Sequence, residues 1–115
     1  QTAIYNSLTS SLTNIQITNN IFDMLTVGIS LSNISGLNIL SNRFFDCYGY
    51  AIMLSGTNQY INVSDNYAGG EDPLEPPSGT QIQVSGEKMI VTSNNTPGTE
   101  ISVSGNRVLI DNNSY

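Results

Sequence analysis

The 115-residue chain repeats one short phrase five times. Each copy has a β-branched residue, any residue, a small polar residue and then an asparagine. The asparagines are Asn20, Asn42, Asn66, Asn94 and Asn113, which lie 22, 24, 28 and 19 residues apart. A second phrase, an apolar residue, any residue and another apolar residue, falls between these copies and begins at Ile29, Ile52, Ile82 and Ile101. The distance between its copies is 23, 30 and 19 residues, so it lengthens and shortens together with the distance between the asparagines. Each period is therefore one structural unit.

Both phrases predict short β-strands. Apolar and mostly polar residues alternate before each asparagine, as in Ile15-Gln16-Ile17, and within the second phrase, as in Ile29-Ser30-Leu31. Helix is disfavoured because the segments have no 3.6-residue period and are rich in β-branched residues, Asn and Gly. No Asn-Gly or Asp-Gly turn joins neighbouring strands as a hairpin. Equivalent strands of successive units are therefore expected to stack in parallel, as in a solenoid.

A parallel solenoid with strands about 4.8 Å apart would align its inward-facing residues in apolar columns. Three columns are predicted: Ile17, Ile39, Val63, Val91 and Ile110; Ile29, Ile52, Ile82 and Ile101; and Leu31, Leu54, Val84 and Val103.

Each repeated asparagine lies three residues beyond the first column, which places it at the corner where a strand ends. Asn tolerates the left-handed backbone that such a corner needs. Stacked amides would also hydrogen-bond along the column. We therefore predict a structural asparagine ladder formed by Asn20, Asn42, Asn66, Asn94 and Asn113.

The pattern Ile-x-Asn-Asn-x-Phe followed by Gly-Ile-x-Leu resembles the coil repeat of right-handed parallel β-helix proteins, the pectin-lyase-like group. It is carried by residues 17–22 with 28–31 and by residues 39–44 with 51–54. The resemblance implies that Phe22 and Phe44 stack after the corner. That group includes pectate and pectin lyases, polygalacturonases, alginate epimerases, and bacteriophage tailspikes and appendages. We expect an all-β fold, a right-handed parallel β-helix of about five coils that is a segment of a longer solenoid.

The coils are assigned to residues 14–115, with a loop insertion at 68–78 that contains three of the four prolines. That loop is either a tolerated surface insertion or a functional loop on a rigid scaffold. Residues 1–13 fit the repeat least well and are assigned to an N-terminal partial coil, in which Ala3-Ile4 is a candidate counterpart of Gly28-Ile29 whose register the sequence does not fix. Solenoid ends expose strand edges that need cover, and the resemblance to tailspikes implies that a homotrimer supplies it.

Composition excludes several classes of function. Three Lys and Arg against nine Asp and Glu give a net charge of −6, so no nucleic-acid partner and no anionic membrane surface are expected. The apolar runs are too short for membrane insertion. The chain has no histidine, which removes a Ser-His-Asp triad and most zinc sites, and its single cysteine, Cys47, allows no intrachain disulfide. No metal and no cofactor are expected.

Asp23 and Asp46 are the candidate catalytic residues, because each lies five residues before Gly28 or Ala51 of its own coil. Stacked on neighbouring coils they would be about 5 Å apart, the separation of a retaining glycosidase pair. The alternative is two solvated turn aspartates. A lyase is disfavoured, because no motif of the resembled group places Arg43, Lys88 or Arg107 as the base.

Carbohydrate binding is assigned to seven further residues, namely Tyr48, Tyr50, Tyr60, Tyr67, Glu71, Asp72 and Glu75. Exposed tyrosines stack on sugar rings, and the acidic cluster would act on a sugar or bind calcium. The alternatives are tyrosines packed internally or between subunits, and a solvated acidic loop.

Two classes of function remain open. The first is a structural, receptor-facing segment of an extended surface spike of the phage tailspike or appendage type, which engages host polysaccharide from the virion surface or another extracellular location. The second is part of the catalytic body of a polysaccharide-degrading β-helix enzyme, a glycoside hydrolase rather than a lyase. Enzymatic activity is undecided at this point.

Overall fold

The structure, a computed structural model, describes residues 1–6, 11–70 and 80–115. Their regular secondary structure is entirely β, with eleven strands. The strands are β1 (Thr2–Tyr5), β2 (Leu12–Thr18), β3 (Ile21–Asp23), β4 (Val27–Ser32), β5 (Ile34–Leu40), β6 (Arg43–Phe45), β7 (Tyr50–Ser55), β8 (Gln59–Ser64), β9 (Tyr67–Gly69), β10 (Thr80–Thr92) and β11 (Glu100–Asp111).

Each coil has three faces. The first face contains β1, β4, β7 and the N-terminal parts of β10 and β11, and the second contains β2, β5, β8 and the C-terminal parts of β10 and β11. The third contains β3, β6 and β9 and continues through isolated bridges from Tyr67 to Asn95 and from Asn95 to Ser114. Every pairing is parallel and joins successive coils. The described chain is therefore a parallel β-solenoid, as predicted, and its five stacked layers, the coils, make about four turns where about five were expected.

The strand register confirms the three apolar columns. Ile17 pairs with Ile39, Ile39 with Val63, Val63 with Val91 and Val91 with Ile110. The columns that begin at Ile29 and Leu31 pair in the predicted order as well. Their central members are buried. Burying each such side chain contributes about 1.5–3 kcal/mol, so the columns supply the main driving force for the fold.

The first coil extends into the N-terminal residues. Ile4 in β1 lies opposite Ile29, so the structure supplies the register of Ala3-Ile4 that the sequence left open. At the predicted insertion, Ala68 and Gly69 pair with β6 and so belong to the third face. Residues 71–79 lie outside the described part of the chain.

The left-handed backbone at the second corner, between the second and third faces, is one residue away from its expected place. Positive φ angles of 52–58° occur just before each ladder asparagine, at Asn19, Ser41, Asp65, Ser93 and Asn112. The expectation that the ladder asparagines themselves adopt this conformation is wrong. The preceding residue bends the chain at the corner, and the asparagine that follows turns its amide into the coil. Asn42, Asn66 and Asn94 are accordingly buried.

The predicted aromatic stack is present. The rings of Phe22 and Phe44 are nearly parallel, at 5°, with centroids 4.6 Å apart. Gly28 packs against this stack, because a Cβ there would lie 2.7 Å from the Phe44 ring and 2.6 Å from the Ala51 carbonyl oxygen. Glycine is thus required at position 28 by the ring and the carbonyl beside it.

Candidate functional site

Side chains fill the inside of the coil. Phe44, Ile39, Ile52 and Ile82 have no exposed surface. A ligand must therefore bind the outer surface, at a face or a corner.

The repeated asparagines form one continuous ladder at the second corner. The backbone N–H and the side-chain Nδ2 of Asn42 both donate to Oδ1 of Asn66, and each other adjacent pair repeats this arrangement at 2.9–3.1 Å. Nδ2 of Asn66 also donates to the Ile39 carbonyl at 2.9 Å. The buried amides are thereby satisfied within the protein, so the ladder is a structural element.

A groove runs along another corner of the coil, the one between the first and second faces. It consists of two depressions of about 280 Å³ each, which share Thr57 and Gln59. We call it the corner groove. Its lining residues are Ser11, Asn33, Ile34, Ser35, Gly56, Thr57, Asn58, Gln59, Gly86, Glu87, Gly105 and Asn106. They come from all five coils, so the groove follows the axis of the solenoid.

Buried Asn58 shapes the floor of the corner groove. Its Oδ1 accepts from the Ile34 N–H at 3.0 Å, and its Nδ2 donates to the carbonyls of Ser55 and Ser85 at 2.9 Å. A Cβ at Gly86 would lie 2.6 Å from the Asn58 carbonyl oxygen, so glycine lets the third and fourth coils approach closely at this corner. Sequence reasoning missed Asn58. The signal was present, because Asn33 lies about one coil earlier at the same corner and also accepts a backbone N–H, from Thr57 at 3.2 Å.

The lining chemistry is mostly neutral and polar. Hydroxyls and amides of Ser35, Thr57, Gln59 and Asn106 face the groove, and Glu87 is its one carboxylate among the described residues. Such groups donate hydrogen bonds to sugar hydroxyls and accept hydrogen bonds from them.

The expectation that Asp23 and Asp46 stack one above the other is wrong. Asp23 lies opposite Phe45, and Asp46 follows one residue later. The N–H of Asp46 donates to the Gly69 carbonyl on the next coil at 2.9 Å. The second coil has one more residue in this segment than the first, which shifts its carboxylate out of register.

Both aspartates act on the buried thiol of Cys47. Burial is the main reason that the Cys47 pKa is raised, and the negative charges of Asp23 and Asp46 raise it further against a hydrogen bond with the Leu25 backbone. A neutral, buried thiol is a core residue and not a nucleophile.

The four predicted sugar-binding tyrosines are spread around the coil. Tyr48 is exposed, and Tyr50 lies in β7 opposite Val27. Tyr67 packs against Phe45 on the third face, with ring centroids 5.7 Å apart. Tyr60 alone of the four follows a residue of the corner groove, Gln59.

The acidic cluster of Glu71, Asp72 and Glu75 lies outside the described residues. Within residues 1–6, 11–70 and 80–115, no group of three or more Cys, Asp or Glu side chains is placed to hold a metal ion. The same residues include no helix long and apolar enough to cross a bilayer.

Comparison of the chain with protein-family models, with curated proteins and with solved structures found no match. The fold therefore rests on the strand pairing itself: parallel strands, stacked coil on coil around a filled core, make this chain a β-solenoid.

Proposed function

We propose that the chain is a structural, receptor-facing segment of an extended surface spike, of the phage tailspike or appendage type, and that it binds host cell-surface polysaccharide along the corner groove. The observation that carries this proposal is the course of the groove, which runs through all five coils. Four strand spacings make it roughly 19 Å long, which suits an extended polymer better than a small molecule.

The construction of the coil supports a rod that presents a ligand surface. Its core is closed, its ladder amides are satisfied internally, and its groove is lined by hydroxyls and amides on a rigid backbone. Rigid placement of polar groups lowers the entropic cost of binding a flexible chain.

Subunit packing belongs to the same proposal. The side chains of Ile21, Met24 and Tyr48 are 66–72% exposed, and they lie on the third face or just beyond it. This apolar surface is available for packing in a homotrimer on a virion or other extracellular spike. Light scattering of the purified chain tests this part, and a stable monomer at all concentrations would count against the spike.

Blocking the groove tests the proposed binding surface. Ser35→Trp and Thr57→Trp each place a large ring in it, and Gln83→Trp places the same ring on the first face. We expect a panel of bacterial capsules and lipopolysaccharide O-chains, measured by biolayer interferometry, to contain a ligand whose binding falls about tenfold in the groove variants and stays unchanged in the control. A ligand that is bound equally by all three variants would remove the groove from the proposal.

The catalytic alternative is tested on the same polysaccharides. New reducing ends would indicate hydrolysis, and their loss in the Asp23→Asn/Asp46→Asn double variant would assign it to these residues. We favour binding because Asp46 lies one residue out of register with Asp23, so the two carboxylates do not have the stacked arrangement expected of a retaining glycosidase pair.

A further inference from the structure

We propose that copies of this chain pack side by side through the third face, so that Arg43 of one subunit pairs with Asp46 of the partner subunit on the same layer of the solenoid. The inference rests on the homotrimer of the proposed function, and it names the contact surface and its register. Three such contacts close a ring around an axis that is parallel to the rod.

The third face is a narrow strip with two edges. Its strands are three residues long, and the middle residue of each, such as Phe44, is buried in the core. Ile21 and Arg43, which lie opposite each other in the register, therefore point outward at the edge next to the second corner. Met24 and Asp46 follow the same two strands at the other edge, with φ angles of 52° and 51°. We call this other edge the third corner, between the third and first faces.

The two edges match each other layer by layer. The first layer has Ile21 at one edge and Met24 at the other, and these side chains are 72% and 66% exposed. The second layer has Arg43, which is exposed, and Asp46, which is half-buried. One layer is therefore apolar at both edges, and the next carries opposite charges at its two edges.

The charges of Arg43 and Asp46 have no ionic partner in their own subunit. Three residues of extended chain separate their Cα atoms by roughly 10 Å. Neither side chain makes an ion pair or a hydrogen bond with any described residue. Both groups are consequently available to a partner subunit.

Closed symmetry determines which layers meet. When identical subunits form a ring around an axis parallel to the rod, the second corner of one subunit meets the third corner of the next, and equivalent coils lie at the same height. Ile21 then faces Met24 of the partner subunit, and Arg43 faces Asp46 of the partner subunit. A displacement by one coil would place Arg43 beside Met24 of the partner subunit, and it would accumulate around the ring and prevent closure.

The apolar and the ionic layer contribute differently to this contact. Ile21 and Met24 remove apolar surface from water, which favours association. The pair of Arg43 and Asp46 disfavours a shifted partner, because opposite charges at an interface select the register more than they add affinity. Since the strands are short, each contact is narrow, and we expect association that depends on concentration.

Exchanging the charges tests the pair. Arg43→Glu and Asp46→Arg each leave two like charges at every contact, and the double variant restores opposite charges with the sides exchanged. Arg107→Glu is the matched control, because it makes the same change of net charge on the second face. Arg107 also shows that this fold holds an arginine at a φ of 57°, close to that of Asp46. Sedimentation equilibrium over a series of concentrations gives the association constant, and circular dichroism verifies that each variant is folded.

We expect the association constant of each contact to fall about tenfold in either single variant, and to return to within about threefold of the wild type in the double variant. Arg107→Glu should leave it unchanged. An equal mixture of the two single variants should recover only part of the association. In a ring of three, at least one contact joins two copies of the same variant, whereas a ring of two has no such contact.

The failures of the two proposals are distinguishable. If the wild type associates and both single variants associate equally well, the third-face contact is wrong and the homotrimer stands without it. Full recovery in the mixture would contradict the ring of three. If Asp46→Arg disturbs the fold, Asp46→Asn takes its place and should weaken each contact about threefold. If the wild type is a monomer at every concentration, the homotrimer of the proposed function fails and this contact fails with it, whereas polysaccharide binding in the groove is measured separately.

Discussion

The Oδ1 atom of Asn66 accepts two hydrogen bonds from Asn42, from the backbone N–H at 3.0 Å and from the side-chain Nδ2 at 3.1 Å. Asn66→Ala would leave both buried donors without a partner. It would also remove the hydrogen bond that the Ile39 carbonyl accepts from Nδ2 of Asn66. We expect the free energy of unfolding in urea to fall by about 3–5 kcal/mol.

Asn20→Ala is the matched control, because Asn20 is exposed at the first layer of the ladder. Its removal should cost about 1 kcal/mol or less. Similar losses for the two variants would contradict a ladder whose strength comes from buried amides.

The left-handed backbone at Ser93, where φ is 56°, predicts which substitutions there will reduce the stability of the fold. Ser93→Val should destabilise the fold by about 1–2 kcal/mol, because a β-branched side chain clashes with its own backbone in this conformation. Ser93→Gly should stay within about 0.5 kcal/mol of the wild type. Ser102→Val, on the exposed face of β11, controls for valine at the surface and should be nearly neutral.

Phe44 and Gly28 should be energetically coupled, because a Cβ at Gly28 would lie 2.7 Å from the Phe44 ring. Phe44→Ala should cost about 3–5 kcal/mol through loss of the buried ring. Gly28→Ala should destabilise the wild type more than it destabilises Phe44→Ala, in which the ring is gone. The difference, measured as a double-mutant cycle in urea, is the coupling; strict additivity would place the ring elsewhere.

The buried thiol of Cys47 predicts a dependence of stability on pH. Burial raises its pKa above the ordinary value of 9.0, so the unfolded chain loses this proton at lower pH than the folded chain does. The stability that the neutral thiol contributes is complete below pH 9.0 and is lost as the pH rises towards the folded-state pKa.

Urea unfolding of the wild type and of Cys47→Ala, at about pH 8 and about pH 10, checks this sign. The wild type should lose more stability between the two values than the variant, because the other ionisable groups are common to both proteins. An equal loss would mean that the thiol titrates alike in the folded and unfolded chains.

Periodicity predicted the parts of the fold in which one residue type recurs at one offset. Residues such as Ile39 and Val63 pair as expected, because a column needs only a similar apolar side chain at each layer. The predicted position of the left-handed residue was wrong by one residue, because Asn19 and Asn20 are both suited to it and the sequence does not show which amide turns inward.

The candidate site was less accessible to sequence reasoning, because its residues do not repeat. Asp23 and Asp46 seemed equivalent when counted back from the following strand, but one additional residue shifts the second carboxylate. The corner beneath the groove is built on the amide of Asn58 and on the missing side chain of Gly86, which belong to different coils and share no motif.

The ladder keeps its hydrogen-bond lengths at 2.9–3.1 Å, although consecutive members are 22, 24, 28 and 19 residues apart in the chain. The pitch of the rod is therefore independent of how much polypeptide each winding contains. A coil can therefore be lengthened between two fixed corners without displacing the coils above and below it. This architecture can carry surface segments of unequal length on one rigid rod.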